Sequence, residues 1–73
     1  MTNDEFLKRL GMEVRVARIR KGMTQRELGR LANVGNMVIS QVEMGNVNSG
    51  VITFKRISEA LEMDVKDFFS FVE

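Results

Sequence analysis

The sequence predicts an all-α protein of five short helices, and three observations carry that prediction. Apolar residues recur at three- and four-residue steps. Capping residues stand ahead of most of these stretches, and glycine or asparagine follows three of them. No stretch alternates as a half-buried strand would.

Asn3 or Asp4 is expected to cap a first helix that runs to about Lys21. Phe6, Leu10, Val14 and Ala17 form its single apolar stripe. Gly22 stops it, after Arg20 and Lys21, whose charges suit a helix C-terminus. Thr24 opens the second helix, Glu27 completes a Thr-x-x-Glu capping box, and the helix ends near Ala32. Gly35 or Asn36 starts the third, which ends at Met44–Gly45. After a loop of Asn46, Val47 and Asn48, Ser49 caps a fourth helix from Gly50 to about Glu62. Ile52 (or Val51), Phe54, Ile57 and Leu61 are its expected buried face. Asp64 with Asp67 resembles another N-terminal cap, opening a short fifth helix through Phe68 and Phe69.

Size and composition narrow the function. Seventy-three residues are expected to make one domain, 1–73, near the size where a single core only just outweighs chain entropy. At 44% hydrophobic and 29% charged residues the chain is globular rather than disordered. It has no Cys and no His, which excludes disulfides, zinc fingers and His-based catalysis. Without a glycine-rich phosphate loop or a convincing carboxylate pair, no enzyme, metal or cofactor is expected. No apolar run approaches the ~20 residues that cross a bilayer, and MTNDEFLKRL is no signal peptide. A cytoplasmic protein without membrane contact is the expectation. Since neither disulfide nor metal adds stability, so is an oligomer.

The net charge of +1 hides a split. Residues 1–30 hold eight Lys/Arg against four Asp/Glu, and residues 31–73 hold three against six. The basic end suits phosphate contact and the acidic end would repel it.

Thr24 to Gly45, TQRELGRLANVGNMVISQVEMG, reads as two helices joined by a tight turn. Leu28, Ala32, Val34, Ile39 and Val42 fall where two crossed helices bury them against each other. Gly29 lets the second helix approach, and Asn33 takes the left-handed conformation the turn needs. This is the helix-turn-helix pattern, whose second helix enters the DNA major groove.

Over roughly residues 10–70 the chain resembles the Cro/CI-type (XRE-like) helix-turn-helix family, with the compact lambda-repressor-like fold. The resemblance rests on Arg18 and Gly22, then Thr24-Gln25, Glu27-Leu28, Ile39-Ser40, Glu43 and Gly45. Ile57, Ala60-Leu61 and Asp67-Phe68 extend it. Its compact form is similar to small phage repressors and to the controller proteins of restriction–modification systems. It implies a transcriptional regulator binding double-stranded DNA as a homodimer, without cofactor. RNA polymerase would be a further partner if the protein activates.

The resemblance implies that Gln25, at the positive start of the second helix, meets a DNA phosphate. Arg26 and Arg30, four apart on one face, can reach the backbone too, and Asn46 and Asn48 join the phosphate set. On the third helix the base-reading residues are expected to be Asn36, Met37, Ser40 and Gln41, with Val38. Asn36 or Gln41 suits adenine, and Met37 and Val38 suit thymine methyls. Arg18 and Glu43 match a structural pair that, in related repressors, joins the first helix to the end of the third. Val65, Phe68, Phe69, Phe71 and Val72 are the expected dimer contact, within a dimerisation region of about 62–73. A two-fold dimer would set its third helices about 34 Å apart, one DNA turn.

The chain departs from the family in one respect. Between Leu31 and Phe54 it has no Lys or Arg, so guanine contacts from the third helix are unavailable. An operator rich in A·T at the positions this helix reads is expected. An antitoxin-like protein-interaction module on the same fold is the alternative. Val16 and Ile19, at positions usually polar in such domains, would cover an N-terminal extension or form a second contact surface.

Overall fold

A computed structural model describes residues 1–72; Glu73, the end of the expected dimerisation region, lies outside the described residues. Four α-helices and a 3-10 helix follow in order, and no strand occurs among the described residues. They are α1 (Asn3–Arg20), α2 (Gln25–Ala32), α3 (Asn36–Met44), α4 (Val51–Ala60) and the 3-10 helix Val65–Phe69. The expected fifth α-helix is therefore a tighter, shorter turn. Asp64 precedes it without a side-chain capping bond, so the acidic pair there does not act as a cap.

Local chemistry sets most boundaries. Thr2, not Asn3 or Asp4, caps α1, its hydroxyl accepting from the Glu5 N–H at 3.1 Å. At α2 the capping box is complete in both directions, Thr24 Oγ1 to the Glu27 N–H and Glu27 Oε1 to the Thr24 N–H. The Thr24 N–H bonding that carboxylate holds its pKa below the ordinary glutamate value. Asn33 stands at φ 57°, the left-handed turn between α2 and α3. Gly50, rather than Ser49, precedes α4, and no side chain caps it. That helix ends at Ala60, short of Glu62, because Glu62 itself adopts φ 56° and cannot continue it.

The core lies where α1 crosses α3 and where α2 packs on α3 and α4. Leu10 and Val14 meet Leu28, Ile39, Val42 and Ile57, with Ala32, Phe54 and Leu61 completing the buried set. Val34 is only partly buried beside them. Val51 and Ile52 do not join the core; they are 79% and 60% exposed. Both lie in the first turn of α4, beyond the buried set, and Phe54 is the first residue of the helix that the core covers. Along α1, which runs unbroken from Asn3, Val16 is half-buried and Ile19 stays exposed.

Two glycines set how close α1 and α3 come. A Cβ on Gly11 would lie 2.7 Å from the carbonyl oxygen of Glu43 and closer still to that of Val42. Gly45, at φ +72°, ends α3 where a Cβ would stand 2.7 Å from the Lys8 Cα. Backbone therefore rests on backbone at the C-terminal end of α3, fixing its angle to α1.

The C-terminal phenylalanines are absorbed by the same protomer. Phe68 is 0% exposed in the core. Phe6, from the first turns of α1, takes up the rings of Phe69 (centroids 6.3 Å apart) and Phe71 (5.3 Å). The Arg9 guanidinium lies 5.3 Å over the Phe71 ring. Phe68 accordingly drops out of the expected dimer contact, and Phe69 and Phe71 have partners within the chain.

Candidate functional site

α2 and α3 form a two-helix unit joined by the left-handed turn at Asn33. Gly29 is the contact point: a Cβ there would be 2.9 Å from the Val34 carbonyl oxygen and 3.1 Å from the Asn36 N. The start of α3 thus sits directly on α2. Arg26 and Arg30, four residues apart, share one face of α2. Both are exposed, and among the described residues neither enters an ion pair.

Ile39 and Val42 turn into the core, which points the opposite side of α3 outward. Asn36 and Met37 are exposed there, Met37 at 66%. Ser40 and Gln41 are half-buried, and Val38 packs partly against the core. The five expected reading residues are therefore unequal: Asn36 and Met37 offer their side chains fully, and Val38, Ser40 and Gln41 only in part. Asn46 and Asn48 are exposed in the loop after α3. Met44 is also exposed and lies seven residues after Met37 on the same face. That spacing was the available signal for it.

One node holds this unit to α1. Arg18 donates from Nε to Glu43 Oε2 at 2.6 Å and from Nη2 to Glu43 Oε1 at 3.1 Å, a bidentate pair. Its Nη1 donates to the Met23 carbonyl at 2.7 Å, just ahead of α2. The two side chains keep only 13% and 3% of their surface exposed. Gln25 Nε2 also donates to Glu43 Oε1, at 3.1 Å. By sequence Gln25 and Glu43 have separate tasks, and the bond between them exists only in the folded chain. Nothing in their spacing of eighteen residues signals it.

A helix-turn-helix family model matches residues 14–68, and the chain belongs to that family, whose class is that of transcriptional regulators rather than enzymes. The chain is 36% identical over 52 residues to YqaF of Bacillus subtilis (strain 168), an uncharacterized HTH-type transcriptional regulator, covering 71% of this chain and 68% of that protein. The restriction–modification controller protein C.AhdI from Aeromonas hydrophila superposes with a TM-score of 0.88 at 25% identity, over 89% of this chain and 98% of that one. The clp gene regulator ClgR from C. glutamicum does so with a TM-score of 0.80 at 29% identity, over 85% and 80%. No helix among the described residues is long and apolar enough to cross a membrane.

Proposed function

We propose that this chain is a sequence-specific DNA-binding regulator of the small repressor or controller type, acting as a homodimer on a pseudo-palindromic operator. One observation carries the reading. The exposed first turn of α3 sits on α2, which carries Arg26 and Arg30 exposed and, among the described residues, in no ion pair, and the unit is clamped to the rest of the protein. In this reading Asn36 and Met37 read base edges, with Ser40 and Gln41 contributing at their exposed atoms and Val38 mainly packing. Gln25, Arg26, Arg30, Asn46 and Asn48 hold phosphates.

A gel shift on the DNA upstream of the gene tests it. With four arginines engaged by a dimer, affinity should fall on the order of 100-fold between 50 and 200 mM salt. Binding-site selection should return half-sites rich in A·T, since no guanidinium on α3 can reach guanine. No binding at low salt would favour the protein-interaction alternative, which the absence of Lys and Arg from α3 supports.

The dimer surface follows from charge and exposure. The groove between α1, the 46–50 loop, α4 and the 3-10 helix is lined by Leu7, Val51, Val65 and Phe69 among others, with no charged residue among the described ones. Two identical copies meet there without opposing like charges, and Val51 and Ile52 supply apolar surface that the monomer leaves bare. Val65 and Phe69 of the expected contact line this groove, whereas Phe71 and Val72 line a separate hollow with Met1 and Phe6. Val51→Asp with Ile52→Asp puts acids in the first turn of α4, where a helix tolerates them. The pair should shift the mass at micromolar concentration from dimer to monomer while helix content stays. A wild-type monomer, free and on DNA, would refute the dimer.

A further inference from the structure

We propose that Glu43 is a positioning residue for DNA contact, orienting the Gln25 amide so that its NH2 group bridges the Glu43 carboxylate and a DNA phosphate. The inference rests on the DNA-binding reading above and names how its phosphate contact is held. Gln25 Nε2 donates one hydrogen to Glu43 Oε1 at 3.1 Å. The amide has only one group that can face a carboxylate, because its carbonyl oxygen would be repelled. Charge therefore fixes which way round the amide sits. The nitrogen keeps a second hydrogen, and Gln25 is half-exposed at the first position of α2.

An NH2 group is a small neutral donor that can serve two anions at once, one hydrogen to each. A glutamate at 25 would set two carboxylates together, and a serine would be too short. The arrangement also requires the carboxylate to be neutralised, or it would repel the phosphate behind the amide. Arg18 does this with its bidentate pair. The same guanidinium holds the Met23 carbonyl, so the backbone leading into α2 and the carboxylate from α3 are fixed relative to each other. Gln25 is ordered before DNA arrives, and the side-chain entropy otherwise lost on binding is already spent.

A double-mutant cycle on affinity for a mixed-sequence 30-base-pair duplex at low salt separates positioning from a purely structural role. In Glu43→Gln the single carbonyl goes to Arg18, the new NH2 faces Gln25, and the Gln25 amide must turn over. Affinity should fall about fivefold, within the range of one hydrogen bond. In a Gln25→Ala background the same change should cost less than about twofold, because its target is gone. Equal losses in both backgrounds would overturn the positioning role and leave DNA binding intact. No binding by the wild type would overturn the DNA reading and the positioning with it.

A measurement on the wild type covers the case in which Glu43→Gln fails to fold. In the free protein one Gln25 side-chain amide hydrogen should exchange slowly with solvent and the other freely. On adding the duplex the second should become protected while the first stays so. Release of the first, or no change in the second, would overturn the bridge.

Discussion

Gly11→Ala is expected to destabilise the protein by about 3 kcal/mol or more, the upper end of what overpacking costs. The sign is the informative part. On an isolated helix alanine in place of glycine stabilises by about 1 kcal/mol. Here the added carbon would meet the backbone oxygens of Val42 and Glu43, which no rotamer change can move aside. Either α1 slides or the C-terminal turn of α3 bends. For 73 residues a total stability of roughly 4–11 kcal/mol is ordinary, so much of the reserve is lost. Urea denaturation followed by circular dichroism measures it. Gly29→Ala should shift the midpoint in the same direction by less, since its nearest backbone atom is 2.9 Å away. A Gly11→Ala protein as stable as wild type would mean that α1 and α3 do not touch through their backbones.

Arg18→Ala is expected to cost about 3–5 kcal/mol, because it strands a buried carboxylate. Glu43 would keep only the Gln25 amide, a neutral donor, in place of a charged bidentate one. The Met23 carbonyl would lose its Arg18 donor as well. The intact pair is not itself a large source of stability, since desolvating both ions offsets their attraction. Replacing both by apolar residues, Arg18→Met with Glu43→Leu, should therefore recover most of the loss. Thermal melts of the single and double variants separate the two effects. If Arg18→Ala abolished DNA binding yet melted like wild type, Arg18 would instead touch the phosphate directly.

Features set by neighbouring residues could be read from the chain alone. Thr24 and Glu27, Asn33 at its positive φ, and the end of α3 at Gly45 depend only on local backbone chemistry. The stripe of α1 and the inward pair Ile39 and Val42 follow from periodicity. Features that a distant residue decides are not legible in this way. Whether Phe69 and Phe71 face out depends on Phe6, more than sixty positions earlier. Val51 and Ile52 fit an apolar stripe, but they lie in the first turn of α4, which the core does not cover, and both stay exposed. Gly11 gave no sign, since a glycine inside a helix reveals a close approach only once the partner is in place. In the site, both ends of the Arg18–Glu43 contact were legible through resemblance, whereas the Gln25 link, being tertiary, was not.

The exposed first turn of α3 also bears on how this protein can change its target. Asn36 and Met37 make no side-chain hydrogen bond or ion pair within the described chain and contribute nothing to its buried core. The residues that aim α3, Gly11, Arg18, Glu43 and Gly45, lie behind it and are shared with the core. Address and chassis are thus kept on separate residues. If Asn36 and Met37 read bases as proposed, exchanges at positions 36 and 37 would sample new operators at nearly constant stability, and the scaffold would suit retargeting by substitution at a few surface positions.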